Sequence, residues 1–151
     1  MVSSGETSKG RACSIARVQT RGIHHLGVAV EDLDQAVTTY ERIFGARLEH
    51  RETVPAQGVE AASLAVGAGR VELLASLGDE TPVGKFLNKR GPGMHHVAYE
   101  VADVRAAIDE LAEQGVELVD DQPRQGLFGL EVAFVHPDAV DGVLSELVAD
   151  V

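Results

Sequence analysis

Residues 23–37 read IHHLGVAVEDLDQAV, and residues 94–108 repeat the pattern as MHHVAYEVADVRAAI. At the offset of 71 residues that separates positions 23 and 94, two histidines, a valine and an aspartate coincide: His24/His95, His25/His96, Val30/Val101 and Asp32/Asp103. A shared frame of this length is far less probable by chance than one matching His-His pair. The chain is therefore predicted to contain two copies of one module, each nearly half of its length.

Each copy predicts one strand, one helix and three further strands. Ile23–Val30 is short and rich in β-favouring residues, and Asp32 or Asp34 is a candidate N-cap for an amphipathic helix over Leu33–Ile43, with Gly45 as its C-cap. The same pattern in the second copy predicts a helix over 104–114 that ends at Gly115. The remaining predictions are strands near 47–53, 58–66, 69–75, 116–120, 130–135 and 143–148, and a short helix over Pro82–Arg90.

The resulting βαβββ pattern, present twice, predicts an α+β fold in which the half-sheets of two tandem modules form one curved mixed sheet. We expect a single domain over residues 22–151, with modules at about 22–78 and 93–149. Residues 1–21 are expected to form a flexible N-terminal tail, and they lack the apolar core of a secretory signal. Cys13 in this tail is the chain's one cysteine, so no internal disulfide can form.

Composition excludes several classes of function. The 151 residues include 13 Lys and Arg against 24 Asp and Glu, a net charge of −11 that disfavours binding to nucleic acid or to an anionic membrane. No apolar run approaches the roughly 18 residues of a transmembrane helix. An anionic small substrate would need a metal ion or a local basic patch to be held by so acidic a chain.

Alternation along the first strand of each copy separates its histidines. His25 shares a face with small residues, Gly27 and Ala29, whereas His24 shares the other face with bulky apolar ones. The second copy repeats this arrangement, so we expect His25 and His96 on the concave side of the sheet. His24 and His95 are expected on the packed side, and His50 and His136 at the surface or in loops.

Carboxylates follow at matching places in the last strand of each copy. Glu72 and Glu146 each lie among apolar strand residues, where an unpaired charge is costly to bury. Together with His25 and His96 they form a set of two nitrogen and two oxygen ligands. Such a set suits a divalent ion such as Co²⁺, Mn²⁺, Ni²⁺, Fe²⁺ or Zn²⁺ and leaves two coordination positions open.

Over about residues 22–149 the sequence resembles the vicinal oxygen chelate (glyoxalase-like) superfamily and, within it, the methylmalonyl-CoA epimerases. The motifs that carry the resemblance occur in family order: HHLGVAV, VPAQGV, VELLAS, TPVGKFLNKRGPGMHHVAYEV, FVHP and GVLSELV. The resemblance implies metal ligands at His25, Glu72, His96 and Glu146, with Co²⁺ as the expected ion. It also implies a homodimer and a cytoplasmic enzyme of propionyl-CoA metabolism.

The activity that the resemblance implies is epimerisation of methylmalonyl-CoA by removal and return of the C2 proton through a metal-stabilised enolate. Inversion requires proton transfer on both faces of the planar carbon, by two groups or one mobile group. Glu146 is the expected base on one face, with Glu60 and Glu100 as candidates for the other. Candidate substrate contacts are Gln57, Lys85, Lys89, Arg90, Gly126 and Phe128.

Two departures from the family pattern stand out, one in a loop expected to cover the substrate and one on the packed side of the first strand. The loop from Gly126 to Glu131 carries Phe128 and Glu131 where relatives often have Gly-Gly and a basic residue, and His24 replaces the usual Asp before the first ligand. Two alternative functions stay open: a glyoxalase I-like metal enzyme, and a small-molecule-binding protein of the same fold that lacks catalysis. The four ligands and the VPAQGV and KRGPGMHH segments favour the epimerase.

Overall fold

A computed structural model describes residues 17–150. The predicted tail lies mostly outside this range, as does Cys13. Within residues 17–150 the chain forms eight strands, β1 to β8, and three α-helices, α1 to α3. In chain order they are β1 (Thr20–Val30), α1 (Leu33–Phe44), β2 (Arg47–Val54), β3 (Val59–Val66), β4 (Gly69–Ser76), α2 (Pro82–Arg90), β5 (Gly93–Val101), α3 (Val104–Glu113), β6 (Arg124–Gln125), β7 (Glu131–Val135) and β8 (Ser145–Ala149). Short 3₁₀ turns occupy Pro55–Gln57, Leu127–Gly129 and Pro137–Val140.

The eight strands form one mixed sheet in the order β2-β3-β4-β1-β5-β8-β7-β6. Within each module the first and last strands pair in parallel, β1 with β4 and β5 with β8. The modules join through the antiparallel pair β1 and β5, so both His-His strands lie at the centre of the sheet. The predicted α+β fold of two tandem modules is confirmed.

The predicted caps begin the first helix of each module. The Asp32 carboxylate accepts a hydrogen bond from the Gln35 amide at 3.1 Å, and Asp103 does the same for Ala106. Helix α1 packs its Leu33 and Val37 on a cluster from β3 and β4, whereas α3 packs on a matching cluster from β7 and β8. Both apolar faces are thereby buried, which stabilises each half of the sheet.

The strand predicted near 116–120 is wrong. Only an isolated bridge between Leu118 and Val135 forms there, and the strand of this module that corresponds to β2 is reduced to the two residues of β6. The Asp120 carboxylate accepts the Phe134 amide at 2.8 Å, so a side chain replaces a backbone partner. Pro123 then interrupts the segment with a residue that cannot donate to the ladder.

The predicted boundary at residues 21/22 also needs correction. Strand β1 begins at Thr20, and Val18 packs against the apolar cluster beneath α3. Residues 17–21 thus belong to the folded domain. The helix predicted over Pro82–Arg90 is confirmed as α2. Among the helices of residues 17–150, none is long and apolar enough to cross a membrane.

Candidate metal centre

The four predicted ligands come together at the centre of the sheet, in two rows across neighbouring strands. In one row Gly27 of β1 pairs with Glu72 of β4 on one side and with His96 of β5 on the other. In the second row Ala98 of β5 pairs with His25 of β1 and with Glu146 of β8. Each row therefore holds one histidine and one glutamate separated by a small residue, as expected for duplicated modules that face each other.

Short distances connect the four side chains. The two histidine Nε2 atoms lie 3.0 Å apart, and the Glu146 Oε2 atom lies 3.0 Å from His96 Nε2 and 3.5 Å from His25 Nε2. Glu72 approaches from its own strand, with Oε2 at 3.4 Å from His25 Nε2 and Oε1 at 4.0 Å from His96 Nε2. All four residues are buried.

Burial and proximity shift the proton affinities of this cluster in different directions. Burial raises the pKa of Glu72. Burial acts in the same sense on Glu146, but hydrogen bonds from His25 and His96 outweigh it and lower the pKa of that carboxyl to about 2. Burial would lower the pKa of His25, yet the Glu146 hydrogen bond and the charge of Glu72 outweigh burial and raise it. The low pKa of Glu146 therefore results from the two histidines beside it, whereas burial dominates at Glu72.

The arrangement fits a divalent cation. Nitrogen and oxygen ligands bind such ions at about 2.0–2.2 Å, so ligands at right angles around one ion lie roughly 3 Å apart and opposite ligands roughly 4 Å apart. The His–His and His–Glu distances, from 3.0 to 4.0 Å, span this range. His25, Glu72 and His96 offer ligand atoms that all lie within 4.8 Å of one another, and Glu146 adds a fourth donor. Imidazole nitrogen with carboxylate oxygen is a donor set for a borderline first-row metal.

Gly27 makes room for this cluster. A Cβ at position 27 would overlap the His96 ring, and even the ring's Nε2 atom would lie only 2.7 Å from it. The corresponding residue of the other row, Ala98, carries a Cβ and is fully buried beside His25 and Glu146 in the register. The glycine therefore allows the His96 ring to lie directly over the strand.

The prediction that His24 and His95 lie on the packed side is wrong. The pairing of β1 with β5 skips both residues. On β1, Ile23 and His25 oppose the consecutive residues Tyr99 and Ala98, so His24 has no partner in the ladder. On β5, His96 and Met94 oppose the consecutive residues Gly27 and Val28, so His95 has none. Each skipped residue is the extra residue of a β-bulge, which redirects its side chain. Consequently His24 Nδ1 lies 2.8 Å from His25 Nδ1, and His95 Nδ1 lies 2.9 Å from His96 Nδ1.

A cavity of about 420 Å³ opens over the four ligands, and it is large enough for a small acyl group. Apolar side chains, the Gln57 amide, His95 and the Arg124 guanidinium contribute to its wall. Of the predicted substrate contacts, Gln57 and Gly126 line this cavity. Lys85, Lys89 and Arg90 lie exposed on α2, which contributes Pro82 and Val83 to the cavity wall.

A short loop, Gly126–Gly129, borders the cavity and is tied to the first module. The Glu52 carboxylate accepts the Phe128 amide at 2.8 Å, and Gln57 Nε2 donates to the Gln125 carbonyl at 3.2 Å. Phe128 adopts a left-handed conformation with φ of 58°, which is unusual for a residue with a side chain. Its ring packs near His50 and lines a smaller neighbouring cavity, whereas Leu127 lines the large one.

The two candidates for a second base lie away from the cluster. Glu60 shares the face of Ala62 and Leu64, which pack beneath α1, and its carboxylate forms an ion pair with Arg51 at 2.7 Å. Arg51 also pairs with Asp34 of α1 at 2.6 Å, so Glu60 belongs to a surface ion-pair network on the far side of the sheet. This placement contradicts a role for Glu60 in proton transfer. Glu100 lies on β5 beyond His96 and outside the walls of both cavities.

Sequence reasoning missed Glu52 and Asp150 as neighbours of the site. The Glu52 carboxylate accepts a hydrogen bond from the amide of Phe128, 76 positions away in the sequence. The Oδ2 atom of Asp150 lies 3.5 Å from His24 Nε2. No local pattern marks either residue, because both contacts depend on how the last strands and the loop fold back on the first module. The matching His-His pairs did give a signal for His24 and His95, but regular alternation placed them on the wrong side.

The fold and the four-donor cluster define a class of protein, the Glyoxalase/Bleomycin resistance protein/Dioxygenase superfamily, whose family model matches residues 24–134. The chain is 35% identical over 127 residues to an ethylmalonyl-CoA/methylmalonyl-CoA epimerase of Cereibacter sphaeroides, covering 83% of this chain and 95% of that protein. With this identity and coverage, the chain belongs to the methylmalonyl-CoA epimerase family within that superfamily.

Solved structures agree with this assignment. A methylmalonyl-CoA epimerase from Mycobacterium tuberculosis superposes with a TM-score of 0.85 at 38% identity, covering 90% of this chain and 92% of that one. A methylmalonyl-CoA epimerase in complex with methylmalonyl-CoA and NH₄⁺ superposes with a TM-score of 0.84 at 37% identity, covering 87% and 96%.

Proposed function

We propose that this protein catalyses the epimerisation of methylmalonyl-CoA at C2. The observation that carries the proposal is the buried cluster of two histidines and two glutamates beneath a cavity of acyl-group size. The chain also spans 95% of the Cereibacter sphaeroides epimerase and 92% of the Mycobacterium tuberculosis epimerase structure, which supports the same reaction here.

We propose that His25, Glu72, His96 and Glu146 hold one divalent ion, with Co²⁺ as the expected metal. When bound, the ion would supply Lewis-acid stabilisation of the negative charge that develops on the thioester oxygen as C2 loses its proton. With four protein donors, such an ion would have room for substrate oxygens as further ligands. An ion at this place also explains how a chain of net charge −11 holds a substrate that carries a carboxylate and phosphates.

Glu146 is the group that we propose to move the C2 proton. It lines the cavity, and its Oε2 atom is fixed by contacts with both histidines. A carboxylate held this way is oriented before the substrate binds, so little reorganisation is needed at the moment of proton transfer. Glu100 stays a prediction for the opposite face of C2, although it lies outside the walls of both cavities. Glu100→Gln tests it, and we expect this variant to lose inversion but to keep proton exchange from one epimer.

We propose that this cavity holds the acyl portion of the thioester, next to the four ligands. Gln57 and the Gly126 loop would contact the acyl group, with Phe128 supporting the loop from the side of the small cavity. Arg124, whose guanidinium lies over Phe134 in the cavity wall and pairs with Asp120 at 3.3 Å, would contact the free carboxylate of the acyl group. The phosphates of coenzyme A would extend to Lys85, Lys89 and Arg90 on the exposed surface of α2.

The experiment that tests this proposal compares substrates and metal loading. Purified protein is stripped with chelator, reloaded with Co²⁺, and assayed with single epimers of methylmalonyl-CoA and with the glutathione hemithioacetal that glyoxalases use. We expect metal-dependent loss of optical purity with methylmalonyl-CoA and no turnover of the hemithioacetal. Turnover of the hemithioacetal alone would replace the epimerase with the glyoxalase-like function. Binding of either compound without any turnover would indicate a small-molecule-binding protein.

The homodimer and the cytoplasmic location implied by the resemblance stay predictions. Native mass spectrometry of the purified protein tests the first, and fractionation of the producing cell tests the second.

A further inference from the structure

The two bulged histidines form an outer pair around the proposed metal ligands. His24 contacts His25 and His95 contacts His96, in each case through the Nδ1 atoms of both rings, at 2.8 and 2.9 Å. The inner rings meet through their Nε2 atoms at 3.0 Å. The four rings therefore run in the order His24, His25, His96, His95, with the proposed metal site between the inner two.

A hydrogen bond between two ring nitrogens needs one donor and one acceptor. Metal binding by the inner ring determines which ring donates. An imidazole that binds a metal through Nε2 keeps its remaining proton on Nδ1. His25 and His96 must then donate from Nδ1, and the outer rings must accept at theirs. Each outer histidine is thereby fixed as the tautomer that carries its proton on Nε2.

A carboxylate lies beside that proton on the first outer histidine. His24 Nε2 is buried, has no hydrogen-bond partner among residues 17–150, and lies within ion-pair distance of the Asp150 carboxylate, at 3.5 Å. The His24 side chain is only 8% exposed, so water gives little access to this nitrogen. Asp150, His24 and His25 thus form a chain of a carboxylate and two imidazoles that ends at the proposed metal site.

We propose that His24 and His95 are positioning residues that fix the tautomer and ring orientation of the metal ligands His25 and His96, with Asp150 supporting His24. Outer partners of this kind hold a ligand ring in its binding orientation and raise its basicity. The two β-bulges turn the side chains of His24 and His95 toward the metal ligands. The inference rests on the proposed metal site and deepens it, because it assigns the residues that make two of the ligands bind well.

The test compares leucine and asparagine at the two outer positions. His24→Leu and His95→Leu remove the acceptor, whereas His24→Asn and His95→Asn keep a side-chain oxygen that accepts a hydrogen bond. His50→Leu is the matched control, because His50 lines the small cavity beside His24 but contacts neither metal ligand. The measurements are Co²⁺ affinity by competition with a chromophoric chelator, the visible spectrum of the Co²⁺ protein, and the melting temperature of the metal-free protein.

We expect each leucine variant to bind Co²⁺ about 10- to 100-fold more weakly, with an altered visible spectrum. The asparagine variants are expected to recover most of the affinity, and His50→Leu to keep all of it. Leucine variants that melt like the wild type without metal yet bind Co²⁺ equally well would overturn the inference. If leucine and asparagine weaken binding equally, the rings fill space and do not accept hydrogen bonds, which also overturns it. A wild-type protein that binds no Co²⁺, Mn²⁺, Ni²⁺, Fe²⁺ or Zn²⁺ would instead refute the proposed metal site itself.

Discussion

Replacement of Gly27 by alanine is expected to displace the His96 ring and weaken metal binding. The added Cβ would lie 2.7 Å from His96 Nε2 and closer still to other ring atoms, whereas carbon packs comfortably at about 3.5–4.0 Å. The ring or the β1 backbone must therefore move by roughly 1 Å. Overpacking of a buried site costs about 1–3 kcal/mol, which corresponds to a melting temperature lower by roughly 2–12 °C for a chain of this size.

The same displacement moves one ligand nitrogen off its place, so we expect Co²⁺ affinity to fall at least about 10-fold. Gly69→Ala is the control, because a Cβ there meets the Val66 carbonyl at an ordinary 3.6 Å in the neighbouring part of the same sheet. Thermal unfolding of the metal-free proteins and Co²⁺ titration measure the two effects. Gly27→Ala protein that equals Gly69→Ala in both measurements would refute the placement of the His96 ring over Gly27.

Three further predictions concern residues around the site. Glu60→Gln is expected to leave epimerase activity at the wild-type level. Because Glu60 forms an exposed ion pair, the free energy of unfolding should change by less than about 1 kcal/mol. A large loss of kcat would make Glu60 a candidate base again. Glu52→Ala removes the acceptor of the Phe128 amide and is expected to raise KM more than it lowers kcat, whereas the isosteric Glu52→Gln should stay close to the wild type. Burial, with His96 beside it, lowers the pKa of His95 to about 4, so between about pH 6.5 and pH 4 the unfolded chain binds a proton that the folded chain does not. As the pH falls from 6.5 to 4, the free energy of unfolding of the metal-free wild type should therefore decrease by up to about 3 kcal/mol more than that of His95→Leu. Urea unfolding at both pH values measures these free energies, and an equal decrease in the two proteins would contradict the shift.

The repeat in the sequence predicted most of the fold and all four members of the cluster. Period-two alternation placed His25 and His96 on the concave face, and this face is correct because both strands are regular beyond their bulges. The matching positions of Glu72 and Glu146 near the ends of the modules each fall in one register row with a histidine, separated from it by a small residue. These predictions succeeded because each depends on local periodicity that the duplication confirms twice.

The failures have a common physical cause, which is that single-strand periodicity carries no information about irregular pairing. Bulges at His24 and His95 reverse the expected side of both rings. Glu60 follows strict alternation, but alternation alone does not say which face of its strand meets α1 and which meets the cavity. The segment that contains Asp120 is apolar enough to predict a strand, yet the Asp120 carboxylate occupies the Phe134 amide that a regular ladder would pair with a backbone carbonyl.

The most direct measurement of the central claim is deuterium incorporation at C2 of methylmalonyl-CoA in heavy water, followed by mass spectrometry. Wild type and Glu146→Gln are compared, each metal-free and reloaded with Co²⁺, with Glu60→Gln as the control that keeps the cluster intact. We predict incorporation that disappears with chelator, returns with Co²⁺, is lost in Glu146→Gln and persists in Glu60→Gln. No incorporation by the reloaded wild-type protein would contradict the account.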